Sequence, residues 1–204
     1  MPLDSATVRA GFEHGAHSFL AAVQSVPPHQ WDRHGALGDW TLRELVAHTV
    51  RAFVTTAGYL NGPIINDNVL ADATDYYRVG LSAPDVHQGV LNRARQAARQ
   101  LHDPLGECEQ IVRTTLATVE ASGDDEPANT FAGRMNLIDY LCTRVVEVGV
   151  HTLDIQRALG QPPDLHPDTS AVVLDILTRR GDAIAMILAL TGRSALPQGF
   201  NVLD

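Results

Sequence analysis

The chain has 204 residues, 45% of them hydrophobic and 19% charged, which allows a sizeable core and is unlike a disordered or fibrous protein. Its formal net charge is −9 and its 15 basic residues are scattered arginines, which argues against the clustered positive charge of nucleic-acid binders. The first residues do not resemble a secretory signal and no run approaches the roughly 18 apolar residues of a membrane span, so we expect a cytoplasmic protein with no membrane or nucleic-acid partner.

Helical periodicity recurs in five stretches, and none shows the sustained alternation of a strand. The pattern predicts helices at residues 6–23, 42–60, 84–101 (continuing through 105–119), 137–159 and 168–190. Asp103-Pro104 interrupts the third stretch, which leaves open one kinked helix or two. Residues 29–40 and 62–82 are predicted to be irregular, the second as a loop over an open end of the fold.

Short connections between amphipathic helices favour an antiparallel bundle. Thr41 and Glu44 have the spacing of a capping box, in which each side chain satisfies the backbone N–H of the other residue, so the second helix has a defined start. We expect one all-α domain over residues 1–204, with a core at about 4–160 and a C-terminal helix at about 168–190.

The fourth predicted helix carries an unusual polar stripe. Tyr140, Arg144, Glu147, His151 and Asp154 follow one another at spacings of 4, 3, 4 and 3 residues, which places them on one helical face. The other faces are strongly apolar, so the helix is expected to be buried. Buried charges are costly unless they are paired or coordinate a metal ion.

Glu147 and His151 lie one turn apart and can reach the same point, and His48, in the middle of the second helix, is the best candidate for a third ligand. Two histidines and one glutamate leave coordination positions open, as in catalytic zinc sites. The same set would accept nickel, iron or manganese. A structural interpretation stays open, in which Arg144 neutralises Glu147 and His48 is a hydrogen-bonded core histidine.

Two neighbours on the stripe are candidates for supporting roles. Asp154 lies one turn beyond His151 and is suited to orienting its imidazole. Arg144 is expected either to tie down Glu147, which we favour, or to bind a carboxylate of the substrate.

Four further side chains are expected to have no role at a metal site. His14 and His17, on the first helix, are predicted to be exposed to solvent. Cys108 and Cys142 lack the spacing of a metal, redox or disulfide pair, so both are predicted to be unpaired.

Two segments, DWTLRELVAH at residues 39–48 and DYLCTRVVEVGVHTLD at residues 139–154, resemble the signature of the DinB-like (YfiT-like) metal-binding bundles. The resemblance is to the mycothiol-dependent maleylpyruvate isomerase N-terminal family in particular. TFAG at residues 130–133 and ALPQGFNVL at residues 195–203 match as well, so the similarity follows nearly the whole chain in order.

The resemblance implies an all-α, DinB-like four-helix bundle with a metal ion held by His48, Glu147 and His151. It also implies that the ion activates the thiol of mycothiol. The isomerase resembles this chain only up to the bundle and then adds a separate C-terminal domain, so here we expect the residues after Pro167 to supply an extra C-terminal helix.

We therefore predict a metal-dependent thiol transferase or isomerase that acts on a small electrophilic substrate, as a monomer or homodimer. Zinc is the expected metal, nickel is an alternative, and mycothiol is the expected thiol. Two other interpretations are a metal-dependent hydrolase, which needs a general base near the open position, and a non-enzymatic metal- or ligand-binding protein, which would close the site with a fourth ligand.

Overall fold

The computed structural model describes residues 3–82 and 86–203, except for the side chains of residues 86 and 87. Eight α-helices make up most of this described part of the chain. The helices are α1 (Ser5–Gln24), α2 (Leu42–Asn61), α3 (Ala73–Gly80), α4 (Val86–Gln100), α5 (Pro104–Ala121), α6 (Leu137–Ala158), α7 (Pro167–Arg180) and α8 (Ala183–Leu190). The start of the helix predicted at residue 84 lies outside the described residues.

Four of these helices close into a ring, in which α1 packs on α6, α6 on α2, α2 on α5, and α5 on α1. The ring confirms the all-α bundle. Aromatic side chains fill its centre: the Phe53 ring of α2 lies 5.4 Å from that of Phe12 and 5.8 Å from that of Phe19, both on α1. Helix α4 covers α2, and α7 packs on α1 and α6.

Helix starts follow the capping residues in the sequence. The predicted box at the start of α2 is present, because the Thr41 hydroxyl accepts from the Glu44 N–H and the Glu44 carboxylate accepts from the Thr41 N–H. Asp103 caps α5 and Pro104 occupies its first turn. Because proline has no N–H to donate, α4 and α5 are two separate helices.

The two segments predicted to be irregular contain regular structure. Strands β1 (His34–Leu37) and β2 (Trp40–Thr41) form a hairpin within residues 29–40. Helix α3 lies within residues 62–82, and Asp72 caps its N-terminus, because the Asp72 carboxylate accepts from two backbone N–H groups. The prediction of a loop there is therefore wrong, because a capped helix of eight residues is too short to produce a clear periodic signal.

A second hairpin, β3 (Pro127–Asn129) and β4 (Arg134–Asn136), leads into α6. Its backbone also bonds the segment before α3: the Arg134 N–H donates to the Asn68 carbonyl and the Leu70 N–H to the Arg134 carbonyl. Gly133 lies where the hairpin contacts the segment before α3. Its φ is +148°, and a Cβ there would lie 2.7 Å from the Asn68 carbonyl oxygen. The hairpin thus fixes where α6 begins.

The C-terminal helix predicted at 168–190 is two helices, since α7 ends at Arg180, Gly181 follows it and Asp182 caps α8. Helix α7 buries Thr169, Val172 and Ile176, whereas α8 has no buried residue. In the described part of the chain, no helix has both the length and the apolar character to cross a membrane.

Candidate metal centre

The structure brings His48 of α2 together with Glu147 and His151 of α6. The Nε2 atoms of His48 and His151 lie 3.5 Å and 3.8 Å from Glu147 Oε2. The two imidazole rings are 4.9 Å apart and nearly perpendicular. The juxtaposition predicted from the sequence is therefore present, while metal binding itself stays a prediction.

The donor set fits a divalent transition-metal ion. One ligand atom from each residue can be chosen so that all three lie within 4.8 Å of one another. Ligand atoms around a tetrahedral zinc ion, with bonds of about 2.0–2.1 Å, are separated by about 3.3 Å. The distances in the structure are slightly longer, so small side-chain rotations would close the three groups around one ion.

Local structure explains the convergence. The capping box at Thr41 sets the phase of α2 and so the direction in which His48 projects, and the hairpin before α6 does the same for Glu147 and His151. Trp40, in β2, meets the ring of His48 edge-on at 5.2 Å. The three side chains are 16–27% exposed, so the cluster is largely enclosed yet reachable from solvent.

The electrostatics of the cluster favour the protonation states that ligands require. Burial opposes the charge of Glu147, but the hydrogen bond from His48 and the positive charge of Arg144 outweigh it and lower the Glu147 pKa to about 2. Burial also lowers the pKa of His48, against the opposing effect of Glu147. At neutral pH these shifts favour a carboxylate and a neutral imidazole, the forms that coordinate metal.

Asp154 holds His151 from the side away from Glu147. Its Oδ2 lies 3.1 Å from His151 Nδ1, and its Oδ1 accepts from Arg157 at 2.8 Å. A proton on Nδ1 leaves the Nε2 lone pair directed towards Glu147. The contact predicted between Asp154 and His151 is thus present.

Arg144 is buried, but its direct partners are not those predicted. Its guanidinium donates to the hydroxyls of Thr143 and Tyr76 and lies over the rings of Tyr76 and Tyr140, 5.3 Å and 4.9 Å from their centroids. The ion pairs that Glu147 forms within the described chain are with His48 and His151. Arg144 therefore acts on Glu147 through its charge rather than through a direct pair.

The contact of Arg144 with Tyr76 is the part of this region that sequence patterns do not predict. Tyr76 comes from α3, in the segment predicted to be irregular, and its hydroxyl is the acceptor for Arg144. Tyr140 was visible on the polar stripe, and its hydroxyl donates to Thr55 on α2.

Both cysteines are free, as predicted, and neither belongs to the cluster. Burial raises the pKa of Cys108 and of Cys142 to about 12. Thiols with so high a pKa are poor nucleophiles at neutral pH, because the thiolate is the reactive form.

The prediction for His14 was incomplete. Its side chain is 37% exposed, but it contacts Asp168 at the start of α7, and its ring stacks on that of His166. The predicted exposure of His17 is confirmed. A groove of about 490 Å³ lined by residues of α1 and α5, His17 among them, does not include His48, Glu147 or His151 in its lining.

Comparison with known proteins identifies a family to which the chain is similar over most of its length. The model of the family described as mycothiol maleylpyruvate isomerase N-terminal domain matches residues 12–156, which is more than half of the chain and includes all three clustered residues. No curated protein and no solved structure shows a significant match.

Proposed function

Because the chain belongs to the mycothiol maleylpyruvate isomerase N-terminal domain family, we propose that it is a metal-dependent enzyme that uses mycothiol or a similar small thiol. Its reaction would be thiol transfer to a small electrophilic substrate, or an isomerisation assisted by the thiol. The observation that carries the proposal is the convergence of His48, Glu147 and His151 on one point. Zinc is the metal we expect, with nickel as the alternative.

The three residues would hold the ion through two imidazole nitrogens and one carboxylate. A bound divalent ion would stabilise the coordinated sulfur of the small thiol in its thiolate form. Glu147 contributes the negative charge of the site, and Asp154 keeps the His151 ring in the orientation needed for Nε2 to coordinate. Neither cysteine is in the cluster, which supports a nucleophile that arrives with the cofactor.

Two details favour this reaction over the hydrolase and the sensor. Both oxygens of Asp154 are engaged, one by His151 and one by Arg157, so this carboxylate is poorly placed to act as a general base for a water molecule. Within the described residues, the group around Glu147 has three members. A sensor with a closed site would need a fourth.

The proposal is tested on protein whose metal has been replaced by cobalt. Addition of mycothiol should produce a new sulfur-to-cobalt absorption band that saturates at one thiol per chain, because the thiolate enters the coordination sphere. Mycothiol with its sulfur methylated should produce no such band. A parallel assay would follow transfer of the thiol to a small electrophile.

The variants His48→Ala and His151→Ala should lose the band, whereas His17→Ala, at an exposed position of α1, should keep it. A cobalt site whose spectrum does not respond to mycothiol or to other small thiols would leave metal binding intact and refute the thiol chemistry. A protein that takes up no cobalt at all would refute both.

A further inference from the structure

A second group of metal-ligating side chains lies where α1 packs against the start of α7, and it shares no residue with the first cluster. His14 Nδ1 is 3.1 Å from Asp168 Oδ2, and His166 Nδ1 is 3.4 Å from the same oxygen. One ligand atom from each of the three residues can be chosen so that all lie within 4.8 Å of one another. The His14 and His166 ring centroids are 3.6 Å apart.

The backbone beneath this group is held closely. A Cβ at Gly11, one turn before His14, would lie 3.1 Å from the carbonyl oxygen of Asp168. The buried hydroxyl of Thr169 donates to the Gly11 carbonyl at 2.9 Å. Because glycine lets the two helices approach this closely, the positions from which His14 and Asp168 project are fixed relative to each other.

We propose that His14, His166 and Asp168 bind a second divalent transition-metal ion. Two imidazoles and one carboxylate select zinc, nickel or copper over magnesium and calcium, which prefer oxygen ligands. The two distances to Asp168 Oδ2 are close to the separation of about 3.3 Å between ligand atoms around a tetrahedral ion. The ion would link α1 to α7 on the outside of the bundle.

The exposure of the His14, His166 and Asp168 side chains is compatible with a metal ion that also binds water. The three side chains are 37–43% exposed, so water can complete the coordination sphere. The rings are tilted by 34°, and rotation of these partly exposed side chains would turn a nitrogen of each ring towards the ion. His166 Nδ1 accepts a hydrogen bond from the Asp168 N–H, so this nitrogen carries a lone pair, and an ion coordinated there would replace the hydrogen bond.

An ion pair without metal is the competing explanation, and it makes a different prediction. His14 and His166 could simply share the charge of Asp168, and partly exposed pairs of this kind contribute little to stability. In that case the three residues would have no effect on the number of metal ions bound.

The test is metal stoichiometry, measured by elemental analysis after chelation and dialysis against buffered zinc. His14→Ala should bind one zinc ion fewer than the unmodified chain, or bind one of its ions more than about tenfold more weakly. Asp168→Asn, which preserves the shape of the side chain, should do the same. His17→Ala is the matched control, three residues along α1, and should lose nothing.

The same comparison in a His48→Ala background separates this site from the first one. If the first site binds no metal, the loss on adding His14→Ala should still be observed. Equal zinc content in the parent and in both the His14→Ala and Asp168→Asn variants would overturn the proposal. An equal loss in His17→Ala would overturn it too, because it would indicate unspecific binding by surface histidines.

Discussion

Asp154 is the residue through which the orientation of a proposed ligand can be tested without removing the ligand itself. Its carboxylate contacts Nδ1 of His151, opposite the nitrogen that faces Glu147. Asp154→Ala should therefore weaken zinc binding by about 10- to 100-fold, the usual effect of removing a partner of a metal-bound histidine. Competition against a chromophoric chelator measures the affinity.

Arg157→Ala is the matched control for this change. It removes the other partner of Asp154, but its side chain is 68% exposed, so the pair contributes little and zinc affinity should be nearly unchanged. If Asp154→Ala bound zinc as tightly as the parent, Asp154 would have no positioning role.

The lowered pKa of Glu147 makes the free energy of unfolding of the metal-free protein depend on pH in the acid range. The surroundings of Glu147 in the folded protein lower its pKa to about 2 from an ordinary value of 4.5, so between these values the unfolded chain binds more protons. This contribution to stability is complete above about pH 4.5 and is lost as the pH falls towards about 2. In Glu147→Gln, the free energy of unfolding should fall less steeply with decreasing pH, by up to about 1.4 kcal/mol per pH unit.

Urea denaturation at a series of pH values, with chelator present, measures this difference. Glu13→Gln, at an exposed position of α1, is the control and should follow the parent curve. Parallel curves for Glu147→Gln and the parent would contradict the lowered pKa.

The candidate site could be predicted from the sequence to the extent that it is local. Glu147 and His151 share a face because they are four residues apart on one helix, a property of the helix alone. His48 is a candidate because it lies in the middle of a helix, and the resemblance to a known family supports the pairing of α2 with α6 that brings it to Glu147 and His151. The contacts of Arg144 with Tyr76, and of His14 with Asp168, depend on how separate elements pack, which periodicity does not report.

At the scale of elements, the approach of α6 to α7 is set by Gly149, which lies between two proposed ligands. A Cβ at this position would lie 2.9 Å from Val173 Cγ2 and 3.4 Å from Thr169 Cγ2. Gly149→Ala should therefore lower the free energy of unfolding by about 1–3 kcal/mol, the typical cost of overpacking. Urea denaturation of the metal-free protein measures the change.

Gly58→Ala, on the neighbouring helix α2, is the control and should change the free energy of unfolding in the opposite direction. Gly58 is exposed, and a Cβ there would meet nothing within 4 Å. Alanine should raise the free energy of unfolding by up to about 1 kcal/mol, because it favours the helix more than glycine does. If Gly149→Ala and Gly58→Ala both destabilised the protein, or if neither did, the close contact between α6 and α7 would not be the reason for glycine at position 149.

Long helices could be predicted from the sequence, whereas short elements could not. The bounds of α1, α2 and α6 lie within one or two residues of the predicted ones, because each helix buries an apolar stripe over five turns or more. The hairpins have strands of two to four residues and depend on bonds to distant segments, such as those of Arg134 to Asn68 and Leu70. The break at Gly181-Asp182 was hidden because apolar residues continue on both sides of it.

At the scale of the whole molecule, the proposed first site joins two adjacent members of the ring, α2 and α6. Helix α7 packs on α6 and α1, where Val173 and Thr169 approach Gly149. The family match ends at residue 156, before α7 begins. The matched region contains the proposed first site but not α7. Its need for α7 can therefore be tested separately, as a question of stability.

Two truncations answer this question, one that removes residues 162–204 and one that removes only residues 182–204. The longer deletion removes Val172, Val173 and Ile176, all buried against the bundle. Each such side chain contributes about 1.5–3 kcal/mol, so the total is comparable to the 5–15 kcal/mol stability of a typical domain. We expect this truncated protein not to fold cooperatively.

The shorter deletion should be tolerated, because α8 has no buried residue. It removes the hydrogen bond from Arg180 to the Val202 carbonyl and the partly buried Leu203, at a cost of about 1–3 kcal/mol. Circular dichroism during thermal unfolding distinguishes the two proteins. If the protein without residues 162–204 unfolded as cooperatively as the parent, α7 would be an accessory to the bundle and not part of its stable core.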